Sequence, residues 1–335
     1  MNKEVPLEPR KKFNYNADPK IIYDTIVVGT GVVGYATAMY GVRMGLKTLI
    51  VGEIPGGMLV NTDAVENYPG FISISGPELV KRLENHAKDY DIDILNEKVG
   101  SVEKDSKGFK IKTKNKTFSG KTIVFATGTK WRNLDIPGEK EFKNKGVSRC
   151  ALCDGPFFKN KIVAVIGGAD SAVKEAIMLT QHAKKVYIIY RGEKVRPEPI
   201  NMVCAEEKIK VGKLEIINNT NLTEIKGDKF VTHVILDKPY KGSKEFKVDG
   251  VFIEIGHIPN SELAKQIGVA LNEKGQIIIN RKSETNVAGV YAAGDVTDTD
   301  FKQAITGVGE GVQAAYHAYE YLSKNKKISF EKCNM

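Results

Sequence analysis

The sequence predicts an α/β protein with mostly parallel sheets, and three observations carry that prediction. Buried-strand patterns alternate with helical patterns along most of the chain. A glycine run, Gly29-Thr-Gly31-Val-Val-Gly34, stands between the first strand and the first helix. A second strand–turn–helix unit of the same kind begins near Lys161, so the chain carries an internal pseudo-repeat. With 335 residues and 41% hydrophobic content, there is enough chain for about two domains with sizeable cores.

Residues 1–20 are polar and charged, with prolines and no apolar signal core; they are expected to form a loose extension on a cytoplasmic protein. Residues 21–28 predict a buried strand, 35–44 the helix after it, and 47–51 a second strand. Further strands are expected over 109–117 and 121–126, the latter ending in Ala126-Thr127-Gly128. The second unit predicts a strand over 162–166, a helix over 171–181 and a strand over 185–190. Strands at 231–236 and 250–255 follow. The chain then runs through Gly289-Val-Tyr-Ala-Ala-Gly294-Asp295 into an apolar helix at about 303–322. No apolar run approaches the ~20 residues of a membrane span. The net charge is +9, but the lysines are dispersed, which argues against nucleic-acid binding. A positive field of this kind suits anionic cofactors or an acidic partner.

The glycines of the first run permit a tight turn, close backbone approach to a pyrophosphate, and helix–strand packing. The helix N-terminus adds amide donors and a partial positive charge. Glu53 follows at the ~20-residue spacing at which an acid binds a ribose hydroxyl. The second run is Gly167-Gly168-Ala169-Asp170-Ser171-Ala172, and the position matching Glu53 is Arg191. An acid accepts from a free ribose diol, whereas an arginine suits a 2′-phosphate; Lys194 and Arg196 stand nearby. This charge swap predicts FAD at the first site and NADPH at the second, with Gly167, Asp170, Ser171, Arg191 and Arg196 as the NADPH contacts. Ala169 puts a methyl group where a pyrophosphate would approach the backbone. A working NADPH site and a decayed one both stay open.

Between the two units lies Cys150-Ala-Leu-Cys153-Asp154. A Cys-x-x-Cys pair in a chain with few cysteines is a redox pair or half of a metal site. Zinc needs four ligands, and Cys204 and Cys333 are single and distant, with no histidine at ligand spacing, so no metal is predicted. As a redox pair, Cys150 and Cys153 can close a small disulfide, with Asp154 placed to shuttle a proton as thiols form and leave.

With these residues in hand, the chain resembles the low-molecular-weight thioredoxin reductases over residues 21–323. The motifs are Gly29-x-Gly31-x-x-Gly34, Gly56-Gly57-Met58-Leu59, Val65-Glu66-Asn67-Tyr68-Pro69-Gly70, Ala126-Thr127-Gly128, Cys150-Ala-Leu-Cys153-Asp154-Gly155, Ile255-Gly256-His257-x-Pro259-Asn260, and Gly294-Asp295 followed by Gln303-Ala304-Ile305. The resemblance implies two Rossmann-like dinucleotide-binding domains of three-layer β-β-α architecture. A discontinuous FAD domain (21–131 and 257–323) would enclose a pyridine-nucleotide domain (132–256) carrying the cysteines, with 324–335 left as a tail. It implies a homodimer, thioredoxin or a similar small protein as partner, and flavin contacts at Gly29, Gly31, Gly34, Glu53, Gly56, Gly57, Asn67, Gly294, Asp295, Gln303 and Ala304. Cys153 would face the flavin and Cys150 would attack the substrate disulfide. Electrons would pass from NADPH through the flavin to the cysteine pair, the inserted domain rotating between the two half-reactions. The helix starting near Gln303 would aim its N-terminus at the flavin. Three departures stand out: Met58 replaces a glutamine, Ala169 a glycine, and the run Tyr190-Arg191-Gly192-x-x-x-Arg196 lacks one of the family's arginines. NADH or reduced ferredoxin as donor, or a dithiol oxidase using oxygen, are the alternatives these departures leave.

Overall fold

The first strand, β1 (Ile22–Val28), is flanked on both sides by parallel neighbours. That position explains its unbroken apolar end, because both faces of a central parallel strand are covered. The computed structural model describes residues 8–11 and 15–324. It forms two units, one from the N-terminal part to Lys130 plus Pro259 onward, the other Trp131–Ile258. Among the described residues no helix is long and apolar enough to cross a membrane.

In the first unit β1 leads through the glycine turn into α1 (Val32–Arg43), which begins directly after its Gly31 N-cap and so earlier than expected. β2 (Thr48–Val51), α2 (Gly76–Lys88) and β3 (Asp93–Leu95) follow. Next come β4 (Ser101–Asp105), β5 (Gly108–Lys112) and β6 (Thr117–Phe125). β5 stops short of the expected strand because Thr113 pairs with Lys116 across a turn, its N–H donating to the Lys116 carbonyl at 2.9 Å. β6 is long because it serves two layers. Its first half pairs antiparallel with β5, and its second half lies parallel to β1.

Alternation along the strands sorts the core. Ile26, Val28, Leu49, Val51, Ile123 and Phe125 face the β4–β5 hairpin, with Ile111 and Phe118. Val27, Ile50 and Val124 face the helices, with Tyr35 and Ala38. The extension is not loose where it is described: Arg10 pairs with Asp89 at the end of α2, and Ile94 N–H donates to the Tyr15 carbonyl at 3.0 Å. Backbone pairing of residues 15–16 against β3 overrides the polar composition that suggested a free tail.

The chain leaves this unit through β7 (Thr129–Trp131). The second unit holds β8 (Val147–Ser148), the short helix α3 (Ala151–Asp154), β9 (Ile162–Ile166), α4 (Asp170–Leu179) and β10 (Lys185–Ile189). These are followed by α5 (Pro199–Lys210) and β11 (Leu214–Ile217). β12 (Leu222–Gly227), β13 (Val231–Tyr240) and β14 (Ser243–Lys247) form an antiparallel sheet, before β15 (Gly250–Ile253). The parallel sheet runs β11-β10-β9-β15-β8. Val163, Val165, Val186 and Ile188 face α4, while Ala164, Ile166, Ile189 and Val251 face the antiparallel sheet. The same layering of sheet, sheet and helix thus occurs in both units.

The chain returns through β16 (His257–Pro259) and α6 (Glu262–Lys265). β17 (Val290–Ala292) then pairs in parallel with Ile123–Phe125, and α7 (Ala304–Lys324) packs Ala314, Ala318 and Leu322 into the α1 side of the sheet. Cys333 lies outside the described residues.

Candidate active site

The three glycines of the first run have two different tasks. A methyl group on Gly29, at φ +123°, would lie 2.1 Å from the Ala126 carbonyl oxygen; one on Gly34 would lie 1.8 Å from the Gly29 carbonyl oxygen. Both positions are sealed by backbone. A methyl group on Gly31 would meet nothing within 4 Å. That open ledge at the N-terminus of α1 is what a pyrophosphate needs, and the residues present fit a dinucleotide. The Gly56 N–H donates to the Thr30 carbonyl at 2.7 Å, and a Cβ on Gly57 would come 3.4 Å from Gly31 Cα. The paired glycines therefore form a second wall of the ledge. Glu53 is exposed two residues beyond β2.

The C-terminal half of the first unit contributes the remaining candidates. The Asn67 amide donates to Gln303 Oε1 at 2.9 Å, so motifs far apart in sequence meet at the start of α7, where Ala304 is the first helical residue. Gly294, at φ +78°, is buried against Val33. Its N–H donates to Glu310 Oε2 at 2.7 Å, and Glu310 also takes the Thr299 hydroxyl. Lys302 donates to the Asp295 and Thr297 carbonyls, and burial lowers its pKa against the pull of the surrounding carboxylates. Glu310 and Lys302 brace the Gly294–Asp295 turn. Sequence reading passed over both; their place shortly after Gly294-Asp295 was the available signal.

The second run repeats the backbone but not the ledge. Gly167, at φ +146°, is sealed against the Glu254 carbonyl oxygen at 2.0 Å, as Gly29 is against Ala126. Ala169 is exposed where Gly31 is open. Asp170, first residue of α4, accepts from Glu198 N–H at 2.8 Å and from the Asn201 amide at 2.7 Å. The Tyr190 ring lies over Gly168 and Gly192, where added Cβ atoms would come within 2.4 and 2.6 Å. Ser171, Arg191, Lys194 and Arg196 are exposed around this turn, with Arg196 N–H donating to the Gly168 carbonyl at 2.6 Å.

Cys150 and Cys153 are joined in a disulfide with Cα atoms 5.3 Å apart. Cys150 is the N-cap of α3, and the Cys153 N–H points at its sulfur at 3.1 Å. An amide donor so placed favours thiolate at Cys150. Cys150 is buried and Cys153 exposed. Asp154 accepts the Ser148 hydroxyl at 2.6 Å, and Ser148 Oγ accepts Cys150 N–H at 3.1 Å, so the acid is tied to the cysteine turn.

Sequence reading missed a further set of charges around this turn. Arg149 pairs with Glu139 at 2.6 Å and donates to the Arg132 carbonyl at 2.7 Å. Glu175 on α4 accepts from Ala151 N–H at 3.2 Å. Burial pushes its pKa up to about 7, the Ala151 N–H opposing. Glu254, only 7% exposed, has an Oε1 without a hydrogen-bond partner. Burial, then the charge of Glu175, push it up to about 9, with Arg149 pulling the other way. The signal available was an acid closing the apolar run Val251-Phe-Ile-Glu254.

Residues 23–315 match the family model described as pyridine nucleotide-disulphide oxidoreductase. The chain is 39% identical to a thioredoxin reductase of Bacillus subtilis (strain 168), over 90% of this chain and 96% of that protein. Its fold is similar to a Lactococcus lactis thioredoxin reductase, with TM-score 0.85, 38% identity, and 90% and 99% of the two chains covered. A T. acidophilum thioredoxin reductase gives TM-score 0.82 at 38% identity, covering 89% and 98%. The open ledge, the repeated layering and the bonded cysteine pair agree with these likenesses: the chain is an oxidoreductase and belongs to the pyridine nucleotide-disulphide oxidoreductase family.

Proposed function

We propose that the chain reduces the disulfide of thioredoxin or a similar small protein, using FAD held in the first unit and the Cys150–Cys153 pair. The observation that carries this reading is the disulfide itself, with an amide aimed at the Cys150 sulfur and Asp154 anchored beside it. FAD would be held by Gly29, Gly31, Gly34 and the Gly56–Gly57 wall at its pyrophosphate, by Glu53 at its ribose, and by Asn67, Gly294, Asp295, Gln303 and Ala304. When bound, the flavin supplies the two-electron relay between nucleotide and disulfide. Cys150 is the attacking sulfur, its thiolate favoured by the Cys153 N–H. Cys153 is the sulfur that re-forms the bond, and Asp154 gives and takes the thiol proton. The protein works as a homodimer in the cytoplasm, where a reducing environment lets such a pair cycle.

The donor is NADPH in this reading, with Arg191 and Arg196 on its 2′-phosphate and Gly167, Asp170 and Ser171 at the start of α4. The Ala169 methyl and the Asp170 carboxylate, both at that helix start, favour a second reading in which NADPH binds weakly and NADH or reduced ferredoxin serves instead. Anaerobic titration of the yellow protein with each nucleotide, following flavin bleaching, decides between them. Bleaching at low excess of NADPH supports the first reading; bleaching by NADH or reduced ferredoxin but not at low excess of NADPH supports the second; bleaching by dithionite alone removes a pyridine-nucleotide donor. Cys150→Ser and Cys153→Ser should leave bleaching intact while reduction of thioredoxin falls to background. Retained thioredoxin reduction in either variant would sink the proposal.

A further inference from the structure

Two carboxyls behind the cysteine turn, the half-buried Glu175 and the buried Glu254, are unused by the reaction as described, and they sit against it. Glu254 directly follows β15, which lies in parallel between β9 and β8, and β8 runs straight into Arg149 and Cys150. Glu175 projects from α4 and takes the amide of Ala151, the residue bonded to Cys150. The charged groups facing the pair are Arg149, itself held by Glu139, and the cysteine turn, on which Asp154 is engaged by Ser148.

We propose that Glu175 and Glu254 act as a carboxyl pair that takes up one proton from solvent when the Cys150–Cys153 bond opens, coupling reduction of the disulfide to that proton. The inference rests on the reading that this disulfide cycles. Two electrons from the reductant break the S–S bond. One sulfur takes a proton and becomes a thiol, and the other remains a thiolate. Cys150 is the sulfur that an amide already supports as thiolate. Its new negative charge arises next to the Ala151 N–H that Glu175 holds. A Glu175 carboxylate and a new thiolate in one poorly hydrated pocket, beside a protonated Glu254, repel one another, and the repulsion is relieved by protonating Glu175. The orphaned, buried Oε1 of Glu254 shows that this pocket does not solvate a full carboxylate. The pair's proton never reaches sulfur, so both glutamates are positioning residues. By linkage, a protonated pair favours the open, thiol–thiolate form.

The test is the thiol–disulfide equilibrium of the intact protein against a small reference dithiol, followed from about pH 6 to 9. Each coupled proton changes the equilibrium constant about tenfold per pH unit. Glu175→Gln keeps a carbonyl oxygen for the Ala151 N–H, and Glu254→Gln keeps the shape of its side chain. Once the two protons that the reference dithiol releases on oxidation are allowed for, each variant's own disulfide reduction should, above about pH 7, have a shallower pH dependence than that of wild type, by up to tenfold per pH unit. The wild-type infrared difference spectrum, reduced minus oxidised, should gain a protonated-carboxyl C=O band that Glu175→Gln lacks. A merely structural role would move neither slope nor band. Equal slopes in both variants, or no carboxyl band in wild type, would overturn the inference. The measurement needs neither flavin nor protein substrate, so its failure is separable from failure of the functional reading.

Discussion

Gly31 and Gly34 are neighbours in one turn of the chain, and the structure asks opposite things of them. At Gly34 an added methyl would overlap backbone, and overpacking of that kind costs ~3 kcal/mol or more. At Gly31 it would stand in open space. Gly34→Ala should therefore lower the melting temperature and the yield of folded protein. Gly31→Ala should melt normally but retain less flavin, read from the absorbance of the purified protein. Ala169→Gly is the complementary change, restoring the ledge in the second unit; NADPH should then bleach the flavin at lower excess. Glu254 gives a stability signature of its own. Its carboxyl is raised in the folded state far above the ~4.3 of an unfolded chain. Its contribution is complete below the unfolded value and is lost as pH rises toward the folded one. Urea midpoints of wild type should fall between about pH 6 and 9, and those of Glu254→Gln should fall less. Equal slopes would show that the carboxyl is not held protonated.

Helix α2 shows how an element can be present in sequence and still be passed over. Ser75 caps it, accepting from Glu78 N–H at 3.3 Å, with Pro77 in the first turn. That serine with a glutamate three positions on is a capping-box pattern. Ser75→Ala should cost ~1 kcal/mol and lower the melting temperature by ~2 °C in calorimetry. The glycine turns and the cysteine motif were legible because each imposes a local demand: room for a pyrophosphate, or two sulfurs within bonding reach. The β5–β6 hairpin was legible only in part, because β6 divides between two layers and its length depends on partners elsewhere. Glu254 was illegible for a related reason. It looks like the polar end of a strand, and only β8, β9 and α4, gathered from elsewhere in the chain, make its surroundings dry. The N-terminal extension was misjudged because backbone pairing to β3 leaves no mark in side-chain composition.

At the scale of the molecule, a net charge of +9 on dispersed lysines favours encounter with an acidic partner. The kcat/KM for an acidic thioredoxin should fall as salt is raised from low to physiological ionic strength, with kcat nearly unchanged; a flat salt profile would show that this field does not steer binding. The discontinuous first unit has another consequence. Ile123–Phe125 of β6, already parallel to β1, finds its second parallel neighbour only when Val290–Ala292 has been made, and α1 waits still longer for α7. At a ribosomal pace of about 5–20 residues per second, roughly ten seconds or more separates the two halves. Meanwhile the contiguous middle segment emerges complete. Translation thus finishes the centre of this protein before its beginning, leaving an uncovered apolar flank as a client for whatever guards nascent chains. Ribosome-bound chains halted just after the middle segment should accordingly resist protease there while remaining cleavable upstream.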